Sequence, residues 1–259
     1  MRRTFAILAA LLLPALSGRA ACTNERFVVG EISEYKISWM KIPLAWSKTL
    51  TDEVEENGRK LIRIRTISKT YPAYRALYAV DDLRTVWIDP ATALPVRQEV
   101  LLNEGKVHRN HVTTFDHAAG EAMFVDRVSG TTNRVAIPPD TREILSFLYA
   151  SRNEDLKIFC AREHRLYSNG KVYPVKLFLR RRKKLKLPRY GKIKSVEIEP
   201  ATEAEGLFNR TGRIFFWVSE PRRRMITCVR SKISLGWVDV RLQRVLGPGT
   251  DLWTREPDS

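Results

Sequence analysis

Two arginine-rich stretches are the residues best equipped for chemistry in this sequence, and the chemistry they offer is anion binding. "LFLRRRKKLKLPRYG", Leu177 to Gly191, places seven basic residues in the ten positions from Arg180 to Arg189, and "EPRRRM" adds Arg222, Arg223 and Arg224. Guanidinium groups grip phosphate and carboxylate through paired N–H donors. Arg181, Arg182, Lys183, Arg222, Arg223 and Arg224 are therefore the candidate ligand contacts. The competing reading is a charge run on a solvated turn, the usual meaning of such a run.

Other chemistries find less support. "KVHRNHVTTFDH" holds His108, His111 and His117 with Asp116. On a strand His108 and His111 face opposite sides, while His111 and His117 share a face too far apart to ligate one ion, and no HExxH helix is present. These are structural or surface histidines, and no metal is expected. Cys160 and Cys228 are the candidate disulfide of an exported chain, with two separate buried thiols as the alternative. No CxxC occurs, which disfavours zinc ribbons and thioredoxin-like chemistry. There is no GxSxG elbow and no SxxK, no isolated carboxylate pair with apolar flanks, and no phosphate-cradling loop, so no cofactor is implied. A triad assembled from distant residues stays open, because geometry defines such sites. Trp39, Trp46, Phe215, Phe216 and Trp217 either line a cavity for an amphiphile or fill a core, as side chains fill most small barrels.

The elements that must position these residues follow a period of two. "FVVGEISEYKISWM" alternates, with Ile32, Glu34, Lys36 and Ser38 opposed to Ser33, Tyr35, Ile37 and Trp39, and "KLIRIRTI" sets Ile62 and Ile64 between arginines. Asn57-Gly58 and Asn169-Gly170 are tight-turn dipeptides between such runs. Glu104-Gly105 and Thr211-Gly212 are weaker punctuation. One stretch has helical spacing: in "IPPDTREILSFLYASR", Ile144, Phe147, Leu148 and Ser151 share a face and Asp140 with Glu143 forms a capping pair, predicting a helix over 141–151. The alternating leucines and charges of 177–191 predict a hairpin turning near Arg181 to Lys183, which would put the charges at its tip. If the tip at Arg222–Arg224 lies at the same end, the two make one cationic rim.

The start of the chain reads as a leader. Arg2 and Arg3 precede an apolar run from Phe5 to Leu16 and small residues up to Ala20 and Ala21, the order of a secretory signal and too short for a permanent anchor. Cleavage after Ala20 gives residues 1–20 as signal peptide, 21–245 as one β-rich domain and 246–259 as an irregular, exposed tail. Cys22 after small residues is a candidate for lipidation, although Arg19 departs from the lipoprotein pattern. The 259 residues carry a formal net charge of +16, and loss of the three leader arginines would leave +13. Such a chain seeks polyanions, and export makes them anionic lipid, lipopolysaccharide or glycan rather than nucleic acid.

"EGLFNRTGRIFFWVSEPRRRMITCVRSKISLGWVDVRL", Glu205 to Leu242, resembles the closing block of a bacterial exported family, domain of unknown function 3108. "FVVGEISEYKISWMKIPLAW", "PDTREILSFLYASR" and "GKIKSVEIEP" agree with it, extending the resemblance over nearly all of Phe27 to Leu242. Where the family tends to carry an acidic pair after its Trp-x-Ser stretch, this chain has Trp217, Val218, Ser219, Glu220 and Pro221, and it is unusually basic at 180–186. The resemblance implies export, an antiparallel β fold and no assigned activity.

The expectation is a mainly β protein, an antiparallel, strongly curved sheet or partly closed barrel with one packed helix. Its expected role is a non-enzymatic envelope module that binds or scaffolds an anionic or amphiphilic component. The alternatives are an envelope hydrolase with a site assembled from distant residues and a subunit that docks on another envelope protein.

Overall fold

Alternation does carry most of the chain into strands, as the computed structural model shows over residues 26–201, 213–220 and 223–254, which it describes. Cys22, Arg222, Thr211-Gly212 and the leader lie outside those residues. Eight strands come first: β1 (Ile32–Trp39), β2 (Ile42–Glu56), β3 (Arg59–Thr70), β4 (Asp81–Ile88), β5 (Pro95–Glu104), β6 (Val107–Asp116), β7 (Glu121–Asp126) and β8 (Thr132–Ala136). Two short helices follow, α1 (Ile144–Ala150) and α2 (Leu156–Ala161). The chain then returns through β9 (His164–Ser168), β10 (Lys171–Leu187), β11 (Gly191–Ala201), β12 (Ile214–Ser219), β13 (Ile226–Ile233) and β14 (Gly236–Leu246).

All neighbours are antiparallel, in the order β8-β7-β6-β5-β4-β3-β2-β1-β14-β13-β12-β11-β10-β9. Two meanders are thus joined where β1 pairs with β14, and the helices carry the chain from one sheet edge to the other. Asn57-Gly58 and Asn169-Gly170 supply positive φ at the β2–β3 and β9–β10 turns. The backbone ladder stays open between β8 and β9, but side chains cross the gap. Tyr167 packs its ring edge on Phe115 and its hydroxyl lies 3.1 Å from that of Thr113, within a cluster that also holds Ala122 and Ile137. Residue 142 covers part of the β9 edge through a parallel bridge to Leu166.

The curved sheet packs on α1. The helix sequence, ILSFLYA, is mostly apolar, with Phe147, Tyr149 and Ala150 buried and Ile144, Leu145 and Leu148 half-buried. Phe147 joins Leu156, Phe159, Val175, Leu177 and Ile198, while Tyr149 and Ala150 pack on Ile62, Ile64, Val86 and Ile88 of the other meander. The expected helix start is corrected. Glu143 is the cap, its buried carboxylate accepting from Leu145 N at 3.0 Å and from Ser146 N. Asp140 instead occupies the preceding turn with φ 61. α2 is only six residues long, too short to show a period in the sequence.

The described segment after β14 is irregular, with residues 247–250 and Leu252 exposed, but one residue anchors it. Trp253 is 1% exposed, packed with Leu187, Ile193, Met225, Leu242 and Val245. Tyr190 ties it down, its hydroxyl donating to Trp253 O at 2.9 Å and accepting from Val245 N at 2.7 Å.

Candidate functional site

The basic run of 180–186 belongs to a strand, not to a hairpin tip. β10 continues unbroken to Leu187, and the turn falls at residues 188–190, where Leu187 faces Gly191. Alternating leucine and lysine fits a strand as well as two half-strands, so the sequence pattern does not locate the turn. What occurs near Arg181 is a bulge: Leu179 pairs with Ile198 and Arg182 with Val196, leaving one residue extra on β10.

The bulge re-aims the arginines. Arg180 and Arg181 both reach acids on one face of β11, Arg180 Nε to Glu199 at 2.7 Å and Arg181 Nε to Glu197 at 2.6 Å. Arg182 Nε reaches Glu220 at 2.7 Å. Arg213 adds Nε and Nη2 bonds of 2.7 and 3.0 Å to Glu199, and its hydrogen bonding, assisted by Arg180, holds that carboxyl below its ordinary range. Among the described residues the three consecutive arginines make no further hydrogen bond, so their Nη groups remain open.

Those side chains border a cleft of about 360 Å³ between β10, β11 and α2. Leu156, Leu179 and Val196 give it an apolar floor, and Lys157, Arg180, Arg181, Arg182 and Arg224 give it a cationic wall. Its two acids are already engaged: Glu220 holds Arg182, and Asp155 caps α2, accepting from Lys157 N at 2.8 Å and Ile158 N at 3.2 Å. Those backbone donors keep the Asp155 carboxyl below its usual range. Arg224 is fixed at the rim by donating to Glu154 O. Next to the floor, Phe159, Leu177, Ile198, Phe216 and Val218 enclose an apolar pocket of about 30 Å³, room for a single small group.

The structure therefore brings together Arg181, Arg182 and Arg224 from the expected contacts. Lys183, opposite Ser195, is exposed but is not part of the cleft lining. Arg223 is removed from the set. It is buried at φ 57, with Nε 3.4 Å from Glu31 and Nη2 donating to Pro248 O at 3.0 Å. The same fully buried Glu31 takes a two-pronged bond from Arg152, at 2.9 and 3.2 Å. Arg223 is thus an internal tie among β1, the helical segment and the C-terminal strap. Sequence reasoning missed Lys157 and Arg180 as cleft residues. Arg180 sat in the run, whereas nothing local marks Lys157.

Other candidates also find places. Cys160 and Cys228 are free, buried in different apolar clusters, and burial pushes each thiol up to about 11. His108 Nδ1 lies 3.0 Å from Asn103 Oδ1 and His117 Nε2 lies 2.9 Å from Pro95 O. His111 is buried against Phe124, and desolvation, with Arg84 nearby, lowers it to about 4. Among the described residues no three His, Cys, Asp or Glu side chains gather as a metal site. Of the five aromatics, Phe216 lines the apolar pocket, Trp217 is core, and Phe215, Trp39 and Trp46 line none of the cavities described here. Glu104 is raised by burial and by Asp82 beside it, away from the cleft. No helix of the described residues is long and apolar enough to cross a membrane.

The family described as "Protein of unknown function (DUF3108)" matches residues 34–243, which take in both meanders and the cleft. The chain belongs to that family. A solved structure, a β-barrel-like protein of domain of unknown function DUF1849 from Brucella abortus, is similar to this DUF3108 chain in fold, with a TM-score of 0.56 at 8% identity, covering 86% of this chain and 100% of the other. Comparison with curated proteins finds no match. At that identity the likeness concerns the fold alone.

Proposed function

We propose that this DUF3108 chain is an exported, non-enzymatic binding module of the cell envelope, which takes a phosphate-bearing component in the cleft between β10, β11 and α2. The observation that carries the reading is the row Arg180–Arg182, each side chain held through Nε with its Nη groups open. Arginines held in this way lose less freedom on gripping an anion than free ones would. The leader-like start and the strongly basic composition support an envelope polyanion as the class of ligand. Binding is favoured over hydrolysis because Asp155 and Glu220 are both committed to other partners, and the perturbed Glu104 lies elsewhere.

The cleft's apolar floor suits the first part of a lipid chain next to its head group, while the 30 Å³ pocket does not hold an acyl chain as it stands. Calorimetric titration with lysophosphatidylglycerol and with glycerol phosphate separates the sources of the phosphate. Equal affinities mean that the cleft reads phosphate alone, and preference for the lysolipid means that Leu156, Leu179 and Val196 contribute. Heat from neither probe, or heat unchanged in R181E/R182E/R224E, overturns the proposal.

A further inference from the structure

Two turns at one end of the sheet expose apolar residues where turns are ordinarily polar. β1 and β2 are joined by Met40–Lys41, β13 and β14 by Ser234–Leu235. They are fastened side by side: Trp39 Nε1 donates to Leu235 O at 2.7 Å and Met40 N donates to Trp237 O at 3.0 Å. Met40 Sδ lies over Gly236, whose φ of 105 favours glycine. Yet Met40 is 56% exposed, Ile42 47% and Leu235 74%.

The backbone of the first turn is also unusual. Met40 and Lys41 have φ of 47° and 73°, nearly the values at Asn57-Gly58 and Asn169-Gly170, where residue types suited to that conformation are used. A long apolar and a long cationic side chain at such positions cost backbone strain, and strain retained at a surface turn points to a use for the side chains. Charge identifies the partner. No acidic residue occurs from Tyr35 to Thr51 or from Pro221 to Val238, and the acid next along, Asp239 beside Ser38, is neutralised by Arg230 at 2.5 and 2.9 Å, so the exposed charges of the two turns are those of Lys41 and Lys232.

We propose that this end of the molecule docks on an anionic lipid bilayer. Met40, Ile42 and Leu235 enter the acyl boundary, Trp39 and Trp237 lie at head-group depth, and Lys41 and Lys232 meet lipid phosphates. The site is separate from the cleft. β13 starts beside Arg224 and ends at this turn, and its eight residues span about 26 Å. The two proposals fail independently.

The test is flotation of the chain beginning at Ala21 with vesicles of equal parts phosphatidylglycerol and phosphatidylcholine at physiological salt. Wild type is expected to float, and M40S/L235S to partition weaker by about tenfold or more with an unchanged unfolding midpoint. K41E/K232E is expected to lose the preference over pure phosphatidylcholine, whereas R181E/R182E keeps it. Failure of wild type to float overturns the proposal, as does equal partitioning of M40S/L235S. A loss in R181E/R182E as large as at the turns would do the same, by assigning binding to net charge.

Discussion

Arg181 and Arg223 carry one charge on one kind of side chain, yet the first has 65% of it exposed and the second 6%. Arg181 is tethered at one atom to Glu197 of β11, a carboxylate only 7% exposed, while the rest of its guanidinium reaches solvent and can meet a ligand. Arg223 is desolvated beside Glu31, which also holds Arg152, and its attraction to the carboxylate offsets a burial cost of several kcal/mol. The two regions teach that a cation's role here is set by how much of its donor capacity the fold has consumed. Interior arginines hold the ends of the chain together, and those at the cleft keep donors in reserve.

Removing one partner tests this contrast most severely. Arg152→Met is expected to destabilise by about 3–5 kcal/mol and Arg223→Met by about 3, since each leaves Glu31 underpaired in the interior. Arg181→Met should cost less than either, about 1–2 kcal/mol, because the arginine itself is 65% exposed although it leaves the buried Glu197 carboxylate without that bond. Urea unfolding monitored by tryptophan fluorescence gives all three. A cost at Arg181 equal to that at Arg223 would erase the distinction between the regions.

Acid probes the buried side of the comparison by another route. His111 titrates near 4 in the folded protein against about 6.5 when unfolded. The unfolded chain therefore binds a proton first as pH falls. Stability from this group is complete above about 6.5, declines below it, and is gone once pH passes through 4, a change on the order of 3 kcal/mol. Arg84, Arg109 and Asp126 face the ring, and the like charges of the arginines act in the same direction as burial. His111→Phe should flatten that part of the stability–pH curve. Glu199, held down by Arg213 and Arg180, begins to lose its contribution as pH falls through the ordinary carboxylate range and has lost it once pH passes below its lowered folded value. A curve that stays steep in the His111 variant would place the acid sensitivity elsewhere.

How much of this was legible follows from the range of the forces involved. Period-two patterning and Asn-Gly turns are local, and they disclose strands such as β1 and β3 and the hairpin from β9 to β10. The helix around Ile144 to Ala150 shows itself by its spacing. The two arginine triplets look alike because their difference is not local: it depends on Glu31, some 190 residues before Arg223 along a chain that folds back, and on a bulge opposite Glu197 that no residue type signals. Only the anchor in the final strap escapes a local reading for the same reason. Gly247 to Asp251 has loop composition, but Trp253 beyond it finds a buried place beside Tyr190.

The smallest expected effect sharpens the comparison at the surface. Among the described residues three two-residue turns adopt paired positive φ, and two use Asn-Gly while the third uses Met40–Lys41. If the residues at that third turn are there only to close a hairpin, M40N/K41G should be better at it, because glycine and asparagine accept φ above zero with little steric cost. The variant is expected to gain about 1 kcal/mol in urea unfolding. Under the docking proposal the same change removes an apolar tip and a cation, so vesicle flotation should fall while stability rises. A stability gain with flotation intact would return Met40 to the class of incidental surface residues. A stability loss would mean that Met40 is held by its packing over Gly236 and by Trp237, making the turn a structural clasp.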